Sequence, residues 1–189
     1  MAEFGISLSH HETVADWDAV RADGAVFACV TTTESMNWRD PDAGKQVTAA
    51  REAGLHAGVR HFARPGGPEE QARLAARFAA PLGALTRGCL APALHVAVDG
   101  LDDRFVKSWL RTVRSVTGVR RVQVHATYEY WVRHLHPAKW ADPEVVLGIV
   151  RHNGIAGRPG WSEARLGIHQ HRTGHAAVVY PFTLDDLLL

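Results

Sequence analysis

The chain has 189 residues and carries 21 Lys and Arg against 20 Asp and Glu, a formal net charge of +1 with its 12 histidines neutral. That balance excludes the clustered basic excess of a nucleic-acid or membrane-surface binder. With 46% hydrophobic and 22% charged residues it also excludes a disordered chain, and its length suits one domain, residues 1–189, with a sizeable core.

Phe4–Ser9 predicts a first strand, and Asp16–Asp23 a helix with Trp17 and Val20 on one side. Ala25–Thr33, β-branched and bounded by Gly24, predicts a buried strand. Pro41–Ala53 predicts a helix stopped by Gly54, and Leu55–Phe62 the next strand. After the loop Ala63-Arg64-Pro65-Gly66-Gly67-Pro68 comes a helix, Glu69–Ala80, with Leu74 and Phe78 inward. Ala93–Val98 and Val119–Ala126 predict strands on either side of a helix, Asp102–Thr117, that ends at Gly118. Trp131–Leu135 predicts a short helix and Glu144–Val150 a strand. Leu166–His171 and Ala176–Phe182 predict the last strands, before the apolar tail Leu184–Leu189.

This alternation implies parallel strands covered by helices, and seven or eight strands in such a length point to one compact barrel. A doubly wound open sheet would need a Gly-rich phosphate turn after the first strand, and Ile6–His11 has none. No stretch is apolar for long enough to span a bilayer. The N-terminal M-A-E-F-G-I-S lacks a basic region followed by an apolar core, so cytoplasmic placement is the expectation. Cys29 and Cys89 lie far apart in apolar contexts and read as buried free thiols. Arg111, Arg114, Arg120 and Arg121 read as a solvated face.

The segments G-I-S-L-S-H-H (Gly5–His11), D-W-D-A-V (Asp16–Val20), F-A-C-V-T-T-T-E (Phe27–Glu34), A-G-L-H-A-G-V-R-H-F-A-R-P (Ala53–Pro65) and P-A-L (Pro92–Leu94) follow one another in order. With Tyr130-Trp131 and Gln170 at later positions, the chain resembles glycoside hydrolase family 25, the lysozyme-type muramidases. The resemblance implies an α/β fold, a small flattened β/α (TIM-like) barrel, and an ancestral peptidoglycan hydrolase.

It also implies where the chemistry should sit, and there the chain departs. The family's fourth-strand pattern is P-x-L-D-x-E, whereas this chain reads P-A-L-H-V-A-V-D, with His95 at the Asp and Ala97 at the Glu. The family's first-strand acid falls on Ser7, and the acid near the last strand on about Val178 or Val179. The family Arg of the second strand falls on Thr31, and the Tyr before H-F on Arg60. Glycoside hydrolysis needs one carboxyl to protonate the leaving oxygen and another to attack or stabilise the cationic centre. Alanine does neither. Sliding the strand by two residues would put Asp99 at the Glu position with side-chain parity preserved.

Barrel sites lie at the C-terminal strand ends. Alternation projects Ser7, Ser9, Thr31, Thr33, Arg60, His95, Asp99, His125, Thr127, His169 and His171 inward. From this lining, His95, Asp99 and His125 are the candidate acid/base residues, and Ser7, Thr31, Arg60, Thr127, His169 and His171 the candidate substrate contacts. The loss of acids and gain of Arg60 favour an anionic or hydrogen-bonding ligand.

Each candidate has a plainer reading. His95 can be a core histidine bonded to a carbonyl. Arg60, costly to bury alone, should pair with Asp99 or Glu34. His152, His169 and His171 can lie on surface loops. His61, His95, His125 and His169 suit zinc in type but not in spacing, so no metal or cofactor is called for. Three functions follow: a repurposed enzyme with histidine acid/base chemistry on a small or anionic substrate; a non-catalytic glycan- or partner-binding pseudoenzyme; and a residual muramidase working through Asp99. The ligand in each is a small molecule or glycan in the barrel mouth, and the sequence sets no oligomeric state.

Overall fold

In a computed structural model, which describes residues 3–189, the apolar runs pair edge to edge until the sheet closes on itself. Met1 and Ala2, where the N-terminal stretch begins, lie outside the described residues. The strands are β1 (Phe4–Leu8), β2 (Phe27–Glu34), β3 (Trp38–Arg39), β4 (His56–Phe62), β5 (Ala93–Val96), β6 (Val122–Thr127), β7 (Val145–Val150), β8 (Leu166–Arg172) and β9 (Gly174–Val178). All but β3 form the ring, in the order β1-β9-β8-β7-β6-β5-β4-β2 with β1 paired back to β2. The ring is parallel except at β9, which runs antiparallel to both β8 and β1. The short β3 folds back on β2.

Helices α1 (Trp17–Ala22), α2 (Ala43–Glu52), α3 (Pro68–Ala79), α4 (Asp103–Thr117) and α5 (Tyr128–Arg133) cover the outside. Their limits fall close to those the sequence predicts. The fifth starts earlier than Trp131, because the Thr127 hydroxyl accepts the Tyr130 N–H and caps it there. Helix α3 opens with Pro68 and two acids, and buries Ala72, Ala75, Ala76 and Ala79, small enough to bring its axis close to the barrel.

Helix α4 buries Phe105, Val106, Trp109, Leu110 and Val113 along one stripe. The Asp102 carboxylate accepts from the Arg104 and Phe105 N–H groups at its start, and Gly118 at φ 74 ends it in the left-handed region. Asp102→Ala is expected to cost about 1 kcal/mol. At this chain length that lowers the melting midpoint by about 2–4 °C, which a calorimetric scan would read. An unchanged midpoint would show that the cap contributes nothing.

The barrel core has two parts. Outside, Leu94, Val96, Val122, Val124, Leu147 and Ile149 meet α4 and α5, while Ile6, Leu8, Ala28, Val30, Ala57 and Val59 meet α1 and α2. Inside, Phe27, Leu90, Val146, Ile168 and Val178 fill the base, joined by Leu184 and Leu187 from the C-terminal tail. The apolar tail is therefore a stopper: its Leu184–Leu187 turn caps the barrel and Leu188 bridges to Leu90. Fully burying a side chain such as Phe27 or Leu90 contributes about 1.5–3 kcal/mol. Gly5 makes room for this plug, since a Cβ there would lie 2.3 Å from the Phe27 carbonyl oxygen and 2.6 Å from its ring. Cys29 and Cys89 are both buried and free. With the base sealed by the tail, the polar inward residues lie toward the C-terminal ends of the parallel strands.

Candidate functional site

Above the apolar plug the lumen turns polar. Ser7 on β1, Thr31 on β2, Arg60 on β4, His95 on β5, Gln123 and His125 on β6, and Gln170 on β8 converge there. Arg60 is only 3% exposed. It donates from Nε to Thr31 Oγ1 (3.0 Å), from Nη1 to Ser7 Oγ (2.8 Å) and from Nη2 to the Leu8 carbonyl (3.1 Å). Ser7 in turn donates to Gln170 Oε1 at 3.1 Å. Neither Asp99 nor Glu34 pairs with this guanidinium, contrary to the sequence expectation, and no carboxylate does among the described residues. Glu34 is taken by Arg64 at 2.6 Å. Asp99 lies in an exposed turn beyond the end of β5.

The two lumen histidines are neighbours in register, His95 beside His125. Gln123 donates its amide N–H to the Ala91 carbonyl, which can only accept. Its Oε1 must therefore accept from His125 Nε2–H at 2.8 Å, leaving a lone pair on His125 Nδ1. Burial, with the Arg60 charge as a second cause, pushes His125 down to about 3. His95 is driven well below the usual histidine value by burial first, then by Arg60 and His125. Its ring stacks on Phe62 at 4.9 Å, and its Nδ1 is buried with no hydrogen-bond partner, so no carbonyl satisfies it there. Both imidazoles are neutral near pH 7.

A sequence profile described as glycosyl hydrolases family 25 matches residues 6–142, well over half of the chain. The chain belongs to glycosyl hydrolase family 25. Lysozyme M1 of Streptomyces globisporus is 38% identical over 61 residues, a stretch that covers 32% of this chain and only 21% of that relative. The bacterial lysozyme of Streptomyces coelicolor superposes with a TM-score of 0.80 at 20% identity, covering 99% of this chain and 95% of that one. A family 25 lysozyme of Aspergillus fumigatus gives 0.77 at 19% identity, with 98% of both chains covered. At these identities the likeness of the structures is one of fold.

On the family 25 barrel, five of the sequence candidates come together: Ser7, Thr31, Arg60, His95 and His125. Thr127 sits at the rim as the α5 cap. Besides Asp99, which lies beyond the strand end, three projections need correcting, each because strand alternation breaks. A bulge at Thr32 turns Thr33 outward, where its hydroxyl meets His61 Nδ1 at 2.8 Å under α3. His169 pairs in register with Ile149 of the outer core, and its Nε2 bonds the Arg151 carbonyl at 2.9 Å. His171 is the extra residue of another bulge. Between them Gln170, not either histidine, faces the lumen. His169 and His171 are nevertheless buried, not on a surface loop.

Gln123 and Gln170 are the lumen residues that the candidate set missed. Gln123 was legible by stepping back two from His125. Among the described residues, no group of three or more His, Cys, Asp or Glu side chains is arranged to hold a metal ion.

Proposed function

We propose that this family 25 barrel keeps its mouth as a binding site for a small-molecule or glycan ligand and has given up paired-carboxylate hydrolysis. The observation that carries this reading is the lining itself: Ser7, Arg60, His95 and Ala97 occupy the strand positions where the resemblance calls for acids or a tyrosine, with His125 beside His95. None can act as the paired carboxyls that glycoside hydrolysis requires. The exposure of Asp99, beyond the strand end, speaks against a slid alignment that makes it the acid.

Purified chain should therefore leave a peptidoglycan suspension turbid, alone and as Asp99→Ala. Clearing by the wild type that Asp99→Ala abolishes would overturn the reading and assign hydrolysis to Asp99. Clearing by both would overturn it equally and send the search to Glu34.

A second reading, a repurposed enzyme using histidine acid/base chemistry, draws support from the His95–His125 pair at the mouth. Against it, an imidazole held near 3 by burial is a weak base at neutral pH, and its acid form is barely populated. The pair could transfer protons near neutrality only after a ligand had raised those values. Binding is thus the primary function this geometry supports.

A further inference from the structure

We propose that the barrel mouth is a site for a compact oxyanion, a carboxylate or phosphate group held by Arg60 with Thr31, Gln170 and His95 as further donors. This deepens the binding reading above by naming the ligand class of the same mouth, and it rests on that reading.

Charge comes first. A buried guanidinium without an opposite charge is costly. This one is 3% exposed, and its partners Thr31, Ser7 and the Leu8 carbonyl are all neutral. Those three bonds leave part of the N–H fork without an acceptor. A neutral ligand could satisfy the remaining N–H groups but would leave the charge uncompensated, and a cation would be repelled. An oxyanion answers both needs, and a guanidinium matches its geometry.

The neighbours are set to donate. Thr31 Oγ1 accepts from Arg60, so its own proton is free to go elsewhere. The Ser7 hydroxyl accepts from Arg60 and donates to Gln170 Oε1, which fixes the amide and leaves the half-buried Gln170 Nε2 group to donate. His95 adds an imidazole, 8% exposed, whose Nδ1 has no partner. The side chains around them are short. Ala97 lies two residues beyond His95 on the same face, and Gly174 faces Ser7 across β1 and β9. Phe62 and Gln170, both half-buried, mark the rim.

The test is calorimetric titration of the full chain at neutral pH with inorganic phosphate, with D-glucuronate, and with D-glucose as the neutral control. Saturable binding of phosphate or glucuronate is expected, with a melting midpoint that rises with anion concentration. Glucose should give neither effect. Binding of phosphate alone points to a phosphorylated ligand, and of glucuronate alone to a carboxylate. A bound anion also offsets the Arg60 charge, so the His95 and His125 ring signals should titrate at higher pH in its presence.

Arg60→Gln should weaken binding by about tenfold or more. Because that change also disturbs Ser7, Thr31 and Leu8 and can unfold the barrel, His95→Phe is the second variant. It keeps the stack on Phe62, removes both nitrogens, and should also weaken binding. No saturable binding of either anion overturns the proposal, as does equal binding of glucose, or anion binding unchanged in both folded variants. The peptidoglycan assay on the same preparations separates the two failures. Clearing sinks the non-hydrolytic reading whatever the anions do; no clearing and no anion binding sinks only the oxyanion site.

Discussion

Taking this protein from pH 7 to pH 5 should remove a large part of its folding stability. The cause lies in histidines that the fold holds neutral. His125, in the lumen, is pushed down to about 3 by burial and by Arg60. His61, beneath α3, is pushed down to about 4 by burial, against weaker opposing effects from Gln71 and Glu34. His95 is also held well below its ordinary value, by burial first and then by Arg60 and His125.

The neutral form of His61 is fully committed. Its Nε2–H donates to Gln71 Oε1 at 3.0 Å, and its Nδ1 accepts from Thr33 Oγ1 at 2.8 Å. The amide is oriented because Gln71 Nε2 donates to the Arg64 carbonyl while its Oε1 also accepts from Arg64 N–H. Protonating Nδ1 would put a second donor against the Thr33 hydroxyl in a site without solvent.

The sign follows from where each state takes up protons. In the unfolded chain these rings titrate near 6.5, and in the fold well below it, so between those values the unfolded state binds more protons. Stability is fully present above about pH 6.5 and falls as the pH drops toward the folded values. At pH 5 each such group accounts for about 2 kcal/mol, and two or three together for about 4–6 kcal/mol, comparable to the whole margin of many domains.

Carboxylates do not confuse the window. Glu69, Asp102, Asp103 and Asp142 are shifted downward, so the stability they contribute is lost only at lower pH, below about 4.5. Urea midpoints at several pH values between 7.5 and 5 would show the fall, and His125→Gln should flatten it. A level profile would mean that the fold accepts these protons, and that the lumen is wetter than the packing indicates.

The same residues show what a sequence can disclose. Strand and helix positions were legible because β-branched runs such as F-A-C-V-T-T-T alternate with one-sided stripes such as that of α4. The inward face of the first strands was legible as well, since simple alternation carries Ser7, Thr31 and Arg60 to one place. Alternation then fails where one extra residue enters a strand, at Thr32, Gly167 and His171, and a bulge leaves no mark in composition.

The antiparallel direction of β9 had a visible cue in the tight R-T-G connection from β8, too short for a crossover to a parallel strand. The partners of Arg60 had none. Sequence reasoning looks for an acid beside a buried guanidinium, whereas here hydroxyls and a carbonyl surround it. That substitution of neutral partners for a charged one is the ground on which an anion is proposed for the mouth.

Gly148→Ala should place a strongly destabilising methyl group in the barrel wall. Gly148 on β7 stands opposite His125 on β6 and Ile168 on β8. A Cβ added there would lie 2.3 Å from His125 Cδ2 and 2.6 Å from Ile168 Cγ2, closer than any real contact. Neither neighbour can yield easily. His125 is tied to Gln123 at 2.8 Å, and Ile168 belongs to the packed plug. Overpacking of this kind costs about 3 kcal/mol, which at this length lowers the melting midpoint by about 6–12 °C.

Gly44→Ala in α2 is the matched control, because its Cβ would sit 3.4 Å from Leu82 Cδ2 and a helical glycine replaced by alanine gains about 0.5–1 kcal/mol. If the imidazole is the obstacle, adding His125→Ala to Gly148→Ala should cost less than the two single changes summed, by about 1 kcal/mol or more. Strict additivity would put the strain on Ile168 alone. It would also free the lumen from its dependence on Gly148, which here supplies the space that lets a histidine stand beside His95.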